Sequence, residues 1–178
     1  VYPLPEAQRD RFLMKIAVGY PTAAEEREIV YRMGVDAPVA NPVISTGELQ
    51  RLQATAARVF VHHAIVDYVV RVVIATRHPA EHGMPDVAHW VSYGASPRAS
   101  LGLIAAGRAL ALLRGRDYVL PQDVLDVAGD VLAHRLVLSY DAVADGVPAA
   151  QAVRRVLQTI PLPQVAPRQR AGGPPPVT

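Results

Sequence analysis

The sequence predicts a mainly α fold, a helical bundle preceded by a short α/β segment. Two capping boxes, Thr22-Ala-Ala-Glu25 and Ser45-Thr-Gly-Glu48, mark helix starts, and Pro97, Pro121 and Pro148 mark three more. Apolar residues recur at helical spacing behind these signals. A hydrophobic fraction of 51% and a mean hydropathy of +0.15 supply apolar surface for a core in 178 residues.

Residues 3–12 predict a helix opened by Pro5 and Glu6. Leu13–Gly19 reads as a short strand through Ile16 and Val18, an edge without a neighbour. The helix begun at Thr22 carries Ile29, Val30 and Met33 and stops at Gly34. Two prolines without helical period then mark a linker. The predicted division is residues 1–36, a linker at 37–44, a helical domain at 45–160 and a Pro-rich, disordered tail at 161–178.

Within 45–160, Leu49, Leu52, Ala56 and Val59 share one helical face. His62–Arg77 is rich in β-branched residues, but sixteen residues without a breaker exceed a strand, so a helix is expected there, ended by Pro79. Residues 78–95 read as a loop anchored by Trp90 and Tyr93. Its His78 and His82 lack the partners a metal site needs, so no metal is expected. A helix over Pro97–Leu113 should bury Leu101, Ile104, Ala105, Ala109, Leu110 and Leu112, with Gly102 and Gly107 permitting close packing and Gly115 as its stop. The next helix, from Pro121, should turn Val124, Val127, Val131 and Leu132 inward. Tyr118-Val119 and Leu136–Leu138 read as a brief strand pair, and Pro148 to Ile160 as the last helix.

The candidate site is Gly94-Ala-Ser-Pro-Arg-Ala-Ser100. Ser96 suits a helix N-cap and Pro97 the first helical position. Arg98 then lies in the first turn, beside the partial positive charge of the helix N-terminus. A cation there fits a shared anion, and helix N–H groups with a guanidinium suit a phosphate. Glu6, Asp10, Asp123 and Asp126 offer no general acid/base pair and read as capping residues. Ser96 and Ser100 have no placed histidine and are not read as nucleophiles.

Gly94-Ala-Ser-Pro-Arg98-Ala resembles the sensor 2 motif of MoxR-type AAA+ ATPases. Tyr2-Pro-Leu-Pro-Glu-Ala-Gln8 with Asp10-Arg11-Phe12-Leu13-Met14-Lys15 is similar to that family's arginine-finger region, continued by Gly19-Tyr20-Pro21 and Glu25-Glu26. Gly115-Arg-Asp-Tyr-Val119, Pro121 with Asp123-Val124, and His134-Arg135-Leu136 match its later lid. The motifs run in order from residue 2 to about residue 160. The resemblance implies that 1–36 is the end of the ATPase core and 45–160 the lid. It makes Arg11 and Arg98 the catalytic arginines, with Ser96, Pro97 and Arg98 at the nucleotide.

The resemblance also implies ATP and Mg²⁺ as cofactors of the full-length protein, with none held tightly by this chain. It implies a homo-oligomeric, hexameric ring in the bacterial cytoplasm, with a chaperone-like or metal-insertion role beside proteins bearing von Willebrand factor A domains. The sequence contains no G-x-x-x-x-G-K-[S/T] phosphate loop and no acidic Walker B strand, so this chain alone is expected not to hydrolyse ATP.

A formal charge of +2 gives no broad basic face for nucleic acid. With no cysteine, thiol chemistry is excluded, and the apolar Val59–Ala75 carries His62, His63, Asp67 and Arg71, which argues against a membrane span. The alternative reading is an independent helical protein-interaction or DNA-binding module. That reading requires an exposed recognition helix.

Overall fold

The longest described helix, Pro97–Leu113, is the axis on which the other elements gather. The computed structural model describes residues 4–34 and 37–164. In chain order they form helices α1 (Glu6–Arg9), α2 (Ala23–Met33), α3 (Thr46–Arg58) and α4 (His63–Arg77), a 3-10 turn (Ala80–His82), α5 (Pro85–Trp90) and strand β1 (Val91–Tyr93). There follow α6 (Pro97–Leu113), α7 (Pro121–Leu132), a second 3-10 turn (Ala133–Arg135), β2 (Val137–Leu138), α8 (Tyr140–Ala144) and α9 (Ala149–Thr159).

Local chemistry explains most helix ends. Thr22 and Ser45 each form the reciprocal capping box with Glu25 and Glu48. The α6 helix stops in a Schellman turn, with Arg116 N–H on the Ala111 carbonyl and Gly115 N–H on that of Leu112, both at 2.9 Å. Gly115 takes φ +72° there, a conformation that favours glycine.

The core lies between α4, α6, α7 and α9. Ile65, Tyr68, Val69, Val72 and Val73 of α4 are buried with Leu103 of α6, Val124, Val131 and Leu132 of α7, and Val153 and Val156 of α9. Each aliphatic side chain among them stabilises the fold by about 1.5–3 kcal/mol. The expected helix at 62–77 and the inward face of α7 are therefore both present. No described helix is long and apolar enough to cross a membrane.

Several expectations are corrected. Leu13–Gly19 forms no strand; its fixed points are the Lys15 N–H on the Asp130 carbonyl, 2.9 Å, and Met14 against the core. The first helix is one turn, Glu6–Arg9, because after Asp10 the bonds tighten to Arg11 N–H on the Gln8 carbonyl and Phe12 N–H on that of Arg9 and the helix runs out. Residues 78–95 are not a plain loop: Pro85 opens α5, and β1 pairs antiparallel with β2 through Val91–Leu138 and Tyr93–Val137. Tyr118 instead bridges Phe60 in parallel, so it is not the partner of 136–138. Trp90 does pack on the core, but Tyr93 is exposed.

The buried face of α6 is also different. Ala99, Gly102, Leu103, Ala106, Gly107 and Ala111 are buried, whereas Leu101, Ala105 and Ala109 are exposed. Small residues let neighbouring helices approach, with Leu103 as the large side chain packed among them. Likewise Leu49 and Leu52 of α3 stay about half exposed, and only Val59 at its end is fully taken in. The predicted tail falls outside the described residues from position 165, as do linker-flanking residues 35 and 36.

Candidate functional site

The site is built at the N-terminus of α6. Thr76 near the end of α4 accepts the Ala95 N–H on its hydroxyl at 3.0 Å, and Arg77 Nε donates to the Ala95 carbonyl at 2.7 Å. A Cβ at position 94 would overlap the Thr76 carbonyl, so glycine permits this close passage. The chain therefore enters α6 from a fixed point. Ser96 caps the helix by accepting the Arg98 N–H at 3.2 Å, and Pro97 occupies the first helical position.

From sequence, Asp10 has a capping role and a place in the motif around Arg11. The structure places it at the centre of the site. Ser96 Oγ donates to its carboxylate at 2.9 Å, Arg98 Nη1 at 3.1 Å and Arg135 Nη1 at 2.9 Å. Burial acts to raise the Asp10 pKa, but hydrogen bonds from Ser96, Arg98 and Arg135 outweigh it and hold the carboxyl below its usual value. These partners lie 86–125 residues away in sequence, so no local signal announces them.

Arg135 is the least exposed member, with 2% of its side chain accessible. A buried guanidinium stays charged and must fill its five donors. Here Nε donates to the Val131 carbonyl at 2.8 Å, Nη1 to the Asp10 carbonyl at 2.6 Å, and Nη2 to the Phe12 carbonyl at 2.6 Å. His134 Nε2 lies 3.1 Å from the same Phe12 carbonyl. His134-Arg135 was visible only as part of a motif.

Arg11 and Arg98 come together on one cleft of about 260 Å³, with Asp10, Leu13, Leu101, Gly102, Ala105 and Arg135 completing its wall. Arg98 is 57% exposed at its side chain despite the Asp10 pair. Arg11 is exposed, and its guanidinium makes no hydrogen bond or ion pair among the described residues; Glu6 pairs with Arg9 and Asp10 with Arg98 and Arg135. The opening thus offers one unpaired guanidinium, one only partly engaged, and the capped start of α6. That set fits a phosphate group. Its remaining walls are Leu13, Leu101, Gly102 and Ala105.

Elsewhere, Asp123 is buried and takes hydrogen bonds from Arg114, Arg116 and the Leu120 N–H. The exposed positions of α7 are Gln122, Asp126, Gly129 and Asp130, the wrong charge for a DNA-reading helix. Arg155 pairs with Asp86 at 3.0 Å. His78 and His82 sit around the first 3-10 turn, His78 near Glu81 and His82 on the His78 carbonyl. No group of three or more potential metal ligands forms among the described residues.

Residues 86–156 match the AAA lid domain. The chain is 66% identical over 177 residues to chaperone MoxR1 of Mycobacterium tuberculosis, covering 98% of this chain and 47% of that protein. It is 37% identical over 150 residues to protein MoxR of Paracoccus denitrificans, covering 78% and 44%. A crystal structure of a proposed ATPase from Cytophaga hutchinsonii superposes with a TM-score of 0.87 at 35% identity, over 92% of this chain and 50% of that one. The chain therefore spans about half the length of the relatives it matches. From lid motif, sequence and fold together, it belongs to the MoxR-type AAA+ ATPases and is a C-terminal, lid-bearing portion of such a protein.

Proposed function

We propose that this chain supplies two arginines, Arg98 as sensor 2 and Arg11 as the finger, to ATP hydrolysis in an oligomeric ring. The observation that supports this most is their placement on one cleft. Two guanidiniums converging beside a helix N-terminus suit the charge that develops on a transferring phosphoryl group. Ser96 and Pro97 form the start of that helix, and Asp10 keeps Arg98 aimed until a phosphate competes for it.

ATP and Mg²⁺ would be held mainly by parts of the full-length protein that carry a phosphate loop. When bound, the metal would neutralise phosphate charge; the role of this chain's residues is to orient and stabilise. A shared cleft further implies that Arg11 and Arg98 serve the same nucleotide. A finger acts on a neighbour, so Arg98 would also act across the subunit boundary. A hexamer in the cytoplasm, a chaperone-like or metal-insertion role and partners bearing von Willebrand factor A domains complete the proposal. They rest on the family resemblance.

The experiment is steady-state hydrolysis by the full-length ring. Arg11→Ala and Arg98→Ala should each lower turnover, by up to about 10³–10⁵ on the scale of arginines in other phosphoryl-transfer systems. Melting transition and ring assembly should be retained. Full turnover in either variant would remove that residue from the reaction.

A further inference from the structure

The residues after α1 form neither helix nor strand between Phe12 and Tyr20. Phe12 and Leu13 are about half exposed, so apolar packing alone does not hold them; Met14 contributes one partly buried contact. What fixes the segment, beside the Lys15 N–H on the Asp130 carbonyl, is a set of polar contacts from the turn that follows α7. Arg135 reaches the Asp10 carbonyl, the Asp10 carboxylate and the Phe12 carbonyl, at 2.6, 2.9 and 2.6 Å. These atoms flank Arg11 on both sides. The same guanidinium is tied to α7 through the Val131 carbonyl at 2.8 Å.

We propose that Arg135 is a positioning residue for the finger. Its buried guanidinium clamps Asp10 and Phe12 to the lid, so that Arg11 reaches the cleft at a fixed place beside Arg98. The inference rests on the finger reading of Arg11. A buried ion pair is weak support for stability, because well-packed apolar residues of similar volume often do as well. A fork of five donors, by contrast, specifies position. Misplacing a catalytic group by about 1 Å is enough to cost about 100-fold in rate. The clamp also explains how Asp10 can release Arg98: its carboxylate keeps Arg135 as a counter-ion.

The test is a double-mutant cycle in the full-length ring, with hydrogen exchange on the same samples. Arg135→Lys keeps the charge and loses the fork. It should lower kcat by about 10–100-fold, leave KM for ATP unchanged, and speed exchange of residues 10–15 while the bundle helices stay protected. Added to Arg11→Ala, it should cause no further loss of kcat, since a finger that is absent cannot be misplaced. A merely structural arginine would instead give losses that multiply, and that result overturns the proposal. So does unchanged turnover or unchanged exchange in Arg135→Lys. If Arg11→Ala alone retains full turnover, the finger reading fails and the positioning role falls with it. An effective Arg11→Ala with multiplying losses counts against the positioning role alone. Should Arg135→Lys not assemble, Arg135→Gln, which keeps a planar amide donor in place of the fork and leaves the Asp10–Arg98 pair intact, is read in the same cycle with the same two outcomes.

Discussion

Asp10 and Asp123 each accept hydrogen bonds from two arginines, and against the opposing effect of burial each carboxyl is held below its usual pKa, Asp10 by Ser96 with Arg98 and Arg135, Asp123 by Arg116 with the Leu120 N–H and Arg114. The two sites differ in reach. Asp123 binds Arg114 and Arg116, nine and seven residues away, and caps the helix in which it lies. It closes the turn between α6 and α7 and is fully buried. Asp10 joins segments 88 and 125 residues apart and stands at an open cleft with Arg11 unpaired beside it. The same carboxylate–arginine chemistry fastens a turn in one place and presents exchangeable charge in the other. Exposure and sequence distance separate the two roles; residue type does not.

The sharpest contrast is kinetic. Loss of Arg98 or Arg11 should reduce hydrolysis by the largest factor of any change considered, whereas Arg116→Ala should act through folding only. Equal turnover losses per folded ring in Arg116→Ala and Arg98→Ala would erase the distinction.

The stability contrast runs the other way. Asp123→Asn leaves Arg116 without its carboxylate and Arg114 with Asp126 alone, and at a fully buried position it should cost about 3 kcal/mol or more. Asp10→Asn, at a partly solvated site, should cost about 1.5–3 kcal/mol. Urea midpoints of the two variants, with unchanged m-values, give the order. A larger loss at Asp10 would contradict it.

The pH dependence follows from the depressed carboxyls. A carboxyl whose folded pKa lies below its unfolded value contributes stability that is complete above the unfolded pKa, near about 3.9 for Asp. That stability is lost as pH falls through the folded pKa. The wild-type chain should therefore lose stability below about pH 4, and Asp123→Asn should flatten that decline. Parallel pH profiles for the two proteins would argue that Asp123 is not ionised in the fold. The smallest effect expected is Ser96→Ala, about 1 kcal/mol for a lost N-cap, read as a modest shift in melting temperature.

Much of the fold was legible because it is local. Both capping boxes, the proline starts at 97 and 121, and the αL stop at Gly115 follow from three- to six-residue chemistry. The misread features are non-local. The packed side of α6 could not be chosen from periodicity, because Gly102 and Gly107 face its neighbours while Leu101 turns to the cleft. The partner of Val137–Leu138 lies beyond α6 and α7, at β1. At the site, Arg98 could be singled out because a cation in a first helical turn is unfavourable without an anion. Asp10 and Arg135 could not, because an aspartate after one turn of helix and an arginine after another look ordinary until the chain brings them together.

The central claim is that Arg11 and Arg98 serve one nucleotide across a subunit boundary. It is tested most directly by mixing full-length subunits defective only in the phosphate loop with Arg11→Ala or Arg98→Ala subunits, after confirming that mixed rings form. Each arginine-deficient subunit keeps its own nucleotide pocket and can receive the missing arginine from its neighbour. The account predicts that turnover returns in both mixtures, with the same dependence on mixing ratio. Mixed rings that stay inactive at every ratio with Arg11→Ala would contradict the finger assignment. Recovery with Arg11→Ala but none with Arg98→Ala would show that the two arginines serve different nucleotides.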